Sequence, residues 1–157
     1  GVNYVIADAK ARTARVLETT QHYLRVFEAD DAAEHAVPYA RPMPDAVFRA
    51  DTAMDPMIRE RQMASGGNPK RRGVEDPAGS SAYDVRYLGQ AEGLTRHRGA
   101  LDPLAAQEIA RTVAPGSNIQ SVVFVWPTMW VANAQGRTPA AQTTFYQFDL
   151  EELMQAR

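Results

Sequence analysis

The chain has 157 residues, no cysteine, 45% apolar residues and a formal net charge of −2. That length suits one domain able to bury a stable core without metal or disulfide support. The charge argues against a dedicated nucleic-acid binder, and the missing thiols exclude disulfides, thiolate metal sites and cysteine nucleophiles. No run of 18 apolar residues occurs, so direct membrane insertion by this segment is not expected. No signal peptide is visible, and the chain opens Gly1-Val2 without a Met.

From Val2 to Ala36 the sequence lacks Pro. Ile6, Ala9, Thr13, Val16, Thr20, Tyr23 and Phe27 recur at alternating steps of three and four. This heptad-like spacing predicts a long amphipathic helix, with Lys10, Arg12, Arg15, Glu18, Gln21 and Arg25 on its solvated face. A start as a strand at Tyr4-Val5-Ile6 is the alternative. The apolar seam of such a helix would pack on the chain's own sheet or on its twin in a homodimer. Pro38, Pro42 and Pro44 end the run. Ala46 to Arg49 reads as a short strand. Asp55-Pro56 reads as an N-cap with Pro at the first helical position, opening a helix that holds Met57, Ile58 and Met63 and stops at Gly66-Gly67.

Residues 65–82 are the most loop-like part of the chain. Tyr83, Val85 and Tyr87 alternate with polar residues, as in a strand. Asp102-Pro103 repeats the cap pattern and predicts a helix to about Ala114. Strands follow at Ile119–Trp126, with much of both faces buried, at Thr128–Ala134 and at Thr143–Phe148, with a turn at Gln135-Gly136. Asp149 with Glu152 is a capping box for a short closing helix. The expected fold is α+β: a long N-terminal amphipathic helix packed on a C-terminal antiparallel sheet. The expected organisation is a single domain over 1–157, with the helix at 1–36, a loop-rich middle at 37–100, and a helix plus antiparallel strands at 101–157.

Basic clusters at Arg59 and Arg61, at Lys70-Arg71-Arg72 and at Arg96-His97-Arg98 could grip a carboxylate or phosphate, but their simpler reading is a solvated face. The three histidines, His22, His35 and His97, show no metal-ligand spacing, and there is no HExxH or GxSxG. No cofactor or metal is implied.

Three family resemblances are present. Asp8-Ala9-Lys10 after Tyr4-Val5-Ile6 resembles the Asp-x-Lys half of the restriction-endonuclease-like motif over three residues. Charges on a helix surface account for it more simply. Val47-Phe48-Arg49-Ala50-Asp51, with Gly66-Gly67 beyond, resembles the first strand of bacterial ADP-ribosyltransferase toxins. That resemblance implies that Arg49 organises a nicotinamide dinucleotide, although the Ser-Thr-Ser strand and the Glu-x-Glu pair are missing. The order of long helix, loops, helix and strands, ending Phe145-Tyr146-Gln147-Phe148-Asp149, resembles a Cache or PAS-like sensory input domain of bacterial transmembrane receptors. This implies a non-catalytic, extracytoplasmic (periplasmic) module that binds a small polar or anionic ligand and pairs through its N-terminal helix. Phe124, Trp126, Trp130 and Tyr146 would wall the pocket, and Arg49, Tyr83 and Arg86 would orient the ligand. The other expectation is a structural or interaction subunit of a larger assembly.

Overall fold

The computed structural model describes residues 2–8, 10–64 and 85–155. The chain is α+β and divides into two compact units, Gly1–Ala91 and Glu92–Arg157, each built on a three-stranded antiparallel meander.

The long N-terminal helix does not exist. Its place is taken by β1 (Val2–Asp8), β2 (Thr13–Thr19) and β3 (Leu24–Phe27), in the order β1-β2-β3. Val2, Tyr4, Val5, Ile6, Val16 and Val26 are β-branched or aromatic residues that fit a pleated surface better than a helix. The turns between the strands are built by short polar side chains. Asp8 Oδ1 accepts from the amides of Lys10 (2.8 Å) and Ala11 (3.0 Å), and Thr20 Oγ1 accepts from the His22 amide. Asp8 and Lys10 therefore serve a turn, not a helix surface.

On the inner face of β2, Val16 and Glu18 are buried two residues apart, and Phe27 of β3 lies beside Val16 in register. Glu18 thus points inward, not to solvent as the helical reading had it. Beyond the sheet lie α1 (Ala32–His35), capped by Asp31, and α2 (Pro56–Ala64). Asp55 caps α2 as expected, its Oδ1 accepting from the amides of Met57 and Ile58 at 3.0 Å each. The expected strand at 46–49 reduces to an isolated bridge between Met43 and Ala46.

The core of this unit joins Val16, Phe27, Tyr39, Phe48, Met54, Ile58 and Tyr87, with the rings of Phe48 and Tyr87 stacked 4.8 Å apart. Tyr87 sits on α3 (Val85–Arg96), where a strand was expected. Buried Tyr87, Ala91 and half-buried Leu94 follow helical spacing and outweigh the short alternation at its start. The stop expected at Gly66-Gly67 and the loop at 65–82 lie outside the described residues.

The second unit follows the sequence expectation more closely. Asp102 caps α4 (Pro103–Val113), its side chain accepting from the Ala105 amide at 2.8 Å. The strands are β4 (Gln120–Val125), β5 (Thr128–Asn133) and β6 (Tyr146–Asp149), in the order β4-β5-β6. A 3₁₀ turn, Ala140–Gln142, precedes the third strand, which begins at Tyr146 instead of the expected Thr143. Asn118 pins the turn: its carbonyl accepts from the Ala140 amide (2.7 Å) and its Oδ1 from the Ala141 amide (3.0 Å). Asp149 accepts from the amides of Glu151 and Glu152 and starts α5 (Leu150–Gln155). No helix among the described residues is long and apolar enough to cross a membrane.

Candidate functional site

Three features could do more than hold the chain together: a buried ion triad, an exposed sheet face and a cationic cleft.

The triad lies in the first unit and contains Arg49. Its side chain is 2% exposed; Nε lies 2.7 Å from Glu18 Oε1, and a terminal nitrogen donates to Glu34 Oε1. The Nε–H is not aligned on Glu18 as a hydrogen bond, so that contact is an ion pair held by proximity. The guanidinium stands 4.9 Å from the centre of the Phe27 ring. Glu18, fully buried, accepts from the amides of Met54 and Asp55 at 2.8 Å each. Burial pushes its carboxyl above the ordinary 4.5, Arg49 and the two amides pull it back down, and Glu34 adds to the rise. One cation thus serves two carboxylates, and Arg49 is held away from solvent. It is not presented to a dinucleotide or a receptor ligand.

Arg86, also in the first unit, pairs with Asp51 at 2.6 Å. Tyr83 lies outside the described residues. Phe124, Trp126, Trp130 and Tyr146 belong to the second unit. Within the second unit the four aromatics do not share one surface.

Strand register explains why. Opposite residues share a face, so Phe124, Met129 and Phe148 form one row, and Val122, Val131 and Tyr146 form the next. Gln120 and Asn133 end the same face. Trp130 lies on the other face in a row with Val123 and Gln147, and Trp126 sits in the β4–β5 turn. The face that carries Val123 and Ala132 is the packed one, on the side of the sheet served by α4 and the 3₁₀ turn. The buried apolar residues of this unit are small: Ala105, Val123, Ala132, Ala140 and Ala141. The large ones are outside: Phe124 is 66% exposed, Trp126 61%, Tyr146 52% and Phe148 41%. The expectation that β4 is buried on both faces is thereby corrected, since Val123 is its one buried residue. Sequence alone could not separate an apolar strand buried by its own chain from one covered by something else.

The outer face of the first sheet is also apolar, with the row Tyr4, Leu17 and Val26. It carries charge, however, in Arg15, which pairs with Glu28 at 2.8 Å.

The third feature is an open cleft of about 600 Å³ in the second unit, between the last turn of α4 and the segment joining β5 to β6. Arg111 and Arg137 line it, with Gln107, Thr144 and Phe145 among the remaining residues. The Arg111 guanidinium lies 5.1 Å from the centre of the Phe145 ring. Sequence reading missed this pair because 26 positions separate the two arginines and neither belongs to a charge cluster. The clusters it did notice are otherwise engaged: Arg96 bonds to Glu92 (3.1 Å) and Glu108 (3.4 Å), and Arg59 to Tyr39. Lys70, Arg71 and Arg72 lie outside the described residues.

Among the described residues no group of three or more His, Asp or Glu is placed to hold a metal ion. No family model, curated protein or solved structure matches the chain.

Proposed function

We infer that the chain is a structural interaction module that associates with a second copy of itself through the exposed face of the β4-β5-β6 sheet. The observation that carries this reading is the inversion of the second unit, which buries alanines and leaves Phe124, Tyr146 and Phe148 of one sheet face in water. A contiguous apolar patch of this kind marks an interaction surface.

The area is of the right order. Aromatic side chains bury ~150–250 Å² each, so the three on this face, Phe124, Tyr146 and Phe148, leave about 300 Å² uncovered per copy. Two copies supply about 600 Å² from these residues alone. Val122, Met129 and Val131 raise that towards the ~1,200–2,000 Å² of specific interfaces.

The chemistry favours self-association. Gln120, Val122 and Phe124 on β4, Met129, Val131 and Asn133 on β5, and Tyr146 and Phe148 on β6 include no Lys, Arg, Asp or Glu. An uncharged face meets its own copy without like-charge repulsion, in the isologous contact that two-fold symmetry requires. Two such sheets would stack about 10 Å apart with strands roughly aligned.

The receptor-sensor expectation drew its signalling mechanism, and its dimer, from a rod that is three strands, so neither is carried forward. The toxin-like expectation needs an accessible Arg49, which is instead the buried cation of a core.

Sedimentation equilibrium tests the module. Wild type should run as a dimer at about 100 µM, and Phe148→Lys should be monomeric with an unchanged far-ultraviolet circular dichroism spectrum. A wild type that stays monomeric at that concentration overturns the reading. So does a Phe148→Lys protein that dimerises as well as wild type.

A further inference from the structure

The cleft between α4 and the β5–β6 connection shares Tyr146 with that face, but its two arginines lie outside the strands that form the face. We propose that it takes a small anion bearing a carboxylate or phosphate, gripped by Arg111 and Arg137.

The cleft's volume of about 600 Å³ falls in the range of small-ligand sites. Its lining contains two arginines and no Asp or Glu, so its charge is +2 with nothing inside to cancel it. The remaining wall is mostly amide and hydroxyl, which suits a hydrated, polar guest better than an apolar one.

Arg111 is held in place before any ligand arrives. Its guanidinium lies over the Phe145 ring, an arrangement that occupies the π face of the cation and leaves its in-plane N–H groups for a planar or tetrahedral oxyanion. A terminal nitrogen is steadied by Gln107 Oε1 at 3.4 Å, and Gln107 is itself 4% exposed. The helix end nearby would oppose an anion through its free carbonyls. One of these is already satisfied, since Gln142 Nε2 donates to the Arg111 carbonyl at 2.9 Å.

Arg137 reaches the cleft from a tight turn. Gln135 and Gly136 both have positive φ, 30° and 79°, and the Arg137 amide closes the turn on the Ala134 carbonyl. Glycine takes that conformation without strain. The turn therefore brings a second cation to the cleft from a separate element, and two arginines grip two oxygens of one anion more tightly than either could alone.

The test is titration of ¹⁵N-labelled protein with inorganic phosphate and, separately, with succinate, at constant ionic strength set by chloride. Saturable shifts confined to the amides around Arg111, Arg137 and Phe145 are expected with at least one probe. The probe that saturates distinguishes the phosphate from the carboxylate form of the site. Arg137→Gln should weaken that binding roughly tenfold or more, the worth of one charge-assisted hydrogen bond. Arg12→Gln, a surface change in the other unit, should leave it unaltered. Absence of saturation by both probes overturns the proposal. Equal weakening by Arg137→Gln and Arg12→Gln also overturns it, because it would reveal diffuse charge attraction.

Discussion

Replacing Arg49 by Met should cost the chain about 3–5 kcal/mol of stability at pH 7, the usual penalty for breaking a buried ion pair from one side. The figure follows from what the change leaves behind. Glu18 and Glu34 would remain buried with their shared cation gone. The amides of Met54 and Asp55 would still serve Glu18, but Glu34 would lose its guanidinium partner, and Phe27 would lose the cation over its ring. Glu18, already pushed upward by burial, would lose the cation that pulls it down and take up a proton more readily, so the penalty should be smaller at pH 5 than at pH 7. Removing the second charge as well, in Arg49→Met with Glu34→Leu, should restore about half of the loss or more, because a buried cluster is worse half-broken than absent. Arg49→Lys keeps the charge but not the fork that spans two carboxylates, and should fall between wild type and Met. The assay is urea unfolding followed by far-ultraviolet circular dichroism, supported by hydrogen exchange at the Met54 and Asp55 amides. Tryptophan emission is unsuitable, since Trp126 and Trp130 both lie in the second unit. An Arg49→Met protein within about 1 kcal/mol of wild type at pH 7 would refute the placement of Arg49 at the centre of the core.

Burial pushes the Tyr87 hydroxyl up to about 12 from an ordinary 10.0, against the pull of the Arg41 amide that donates to it at 2.8 Å. A folded value above the unfolded one stabilises the fold below pH 10 and is lost as pH rises through 10 towards 12. Stability should therefore fall by up to about 2–3 kcal/mol across that window, and the slope should be shallower in Tyr87→Phe. Glu18 obeys the same sign. Its contribution is complete below pH 4.5 and lost as pH rises through its elevated folded value, so the stability gap between wild type and Glu18→Gln should narrow from pH 4 to pH 7 in urea titrations. Gly93→Ala should destabilise by ~1–3 kcal/mol, because a Cβ there would stand 2.6 Å from Ile109 Cγ1; an unchanged melting temperature would contradict a tight contact between α3 and α4 at this position. Asp102→Ala removes the acceptor for the Ala105 amide and should cost about 1 kcal/mol by the same measurement.

The punctuation of the fold was legible in the sequence, and the N-terminal layer was not. Asp55-Pro56, Asp102-Pro103 and Asp149 with Glu152 are local signals: each cap satisfies amides within three residues, so no distant contact can override it. The Gln135-Gly136 turn is local in the same way. The first 36 residues failed for a specific reason. Glu18 occupies an inward position of β2, so the two-residue alternation is interrupted where it should be clearest, and a three-and-four spacing survives in its place. The partner that makes an inward Glu tolerable, Arg49, lies 31 positions away, beyond any periodicity. The alternation of Tyr83, Val85 and Tyr87 in sequence likewise disguised α3, in which Gly93 lets Ile109 approach. The candidate sites depended on register and on the return of the chain from β5 to β6. Phe124 and Trp130 look equivalent in sequence and stand on opposite faces.

Self-association through the open sheet face is most directly tested by a nitroxide on a cysteine at position 133, introduced as Asn133→Cys into a chain with no other thiol. Asn133 ends the face on its central strand, so any stacking of two such faces leaves the two labels within roughly 20 Å. The expected result is dipolar broadening that grows with protein concentration and disappears on introducing Phe148→Lys. A sharp, concentration-independent spectrum at position 133 would contradict the account.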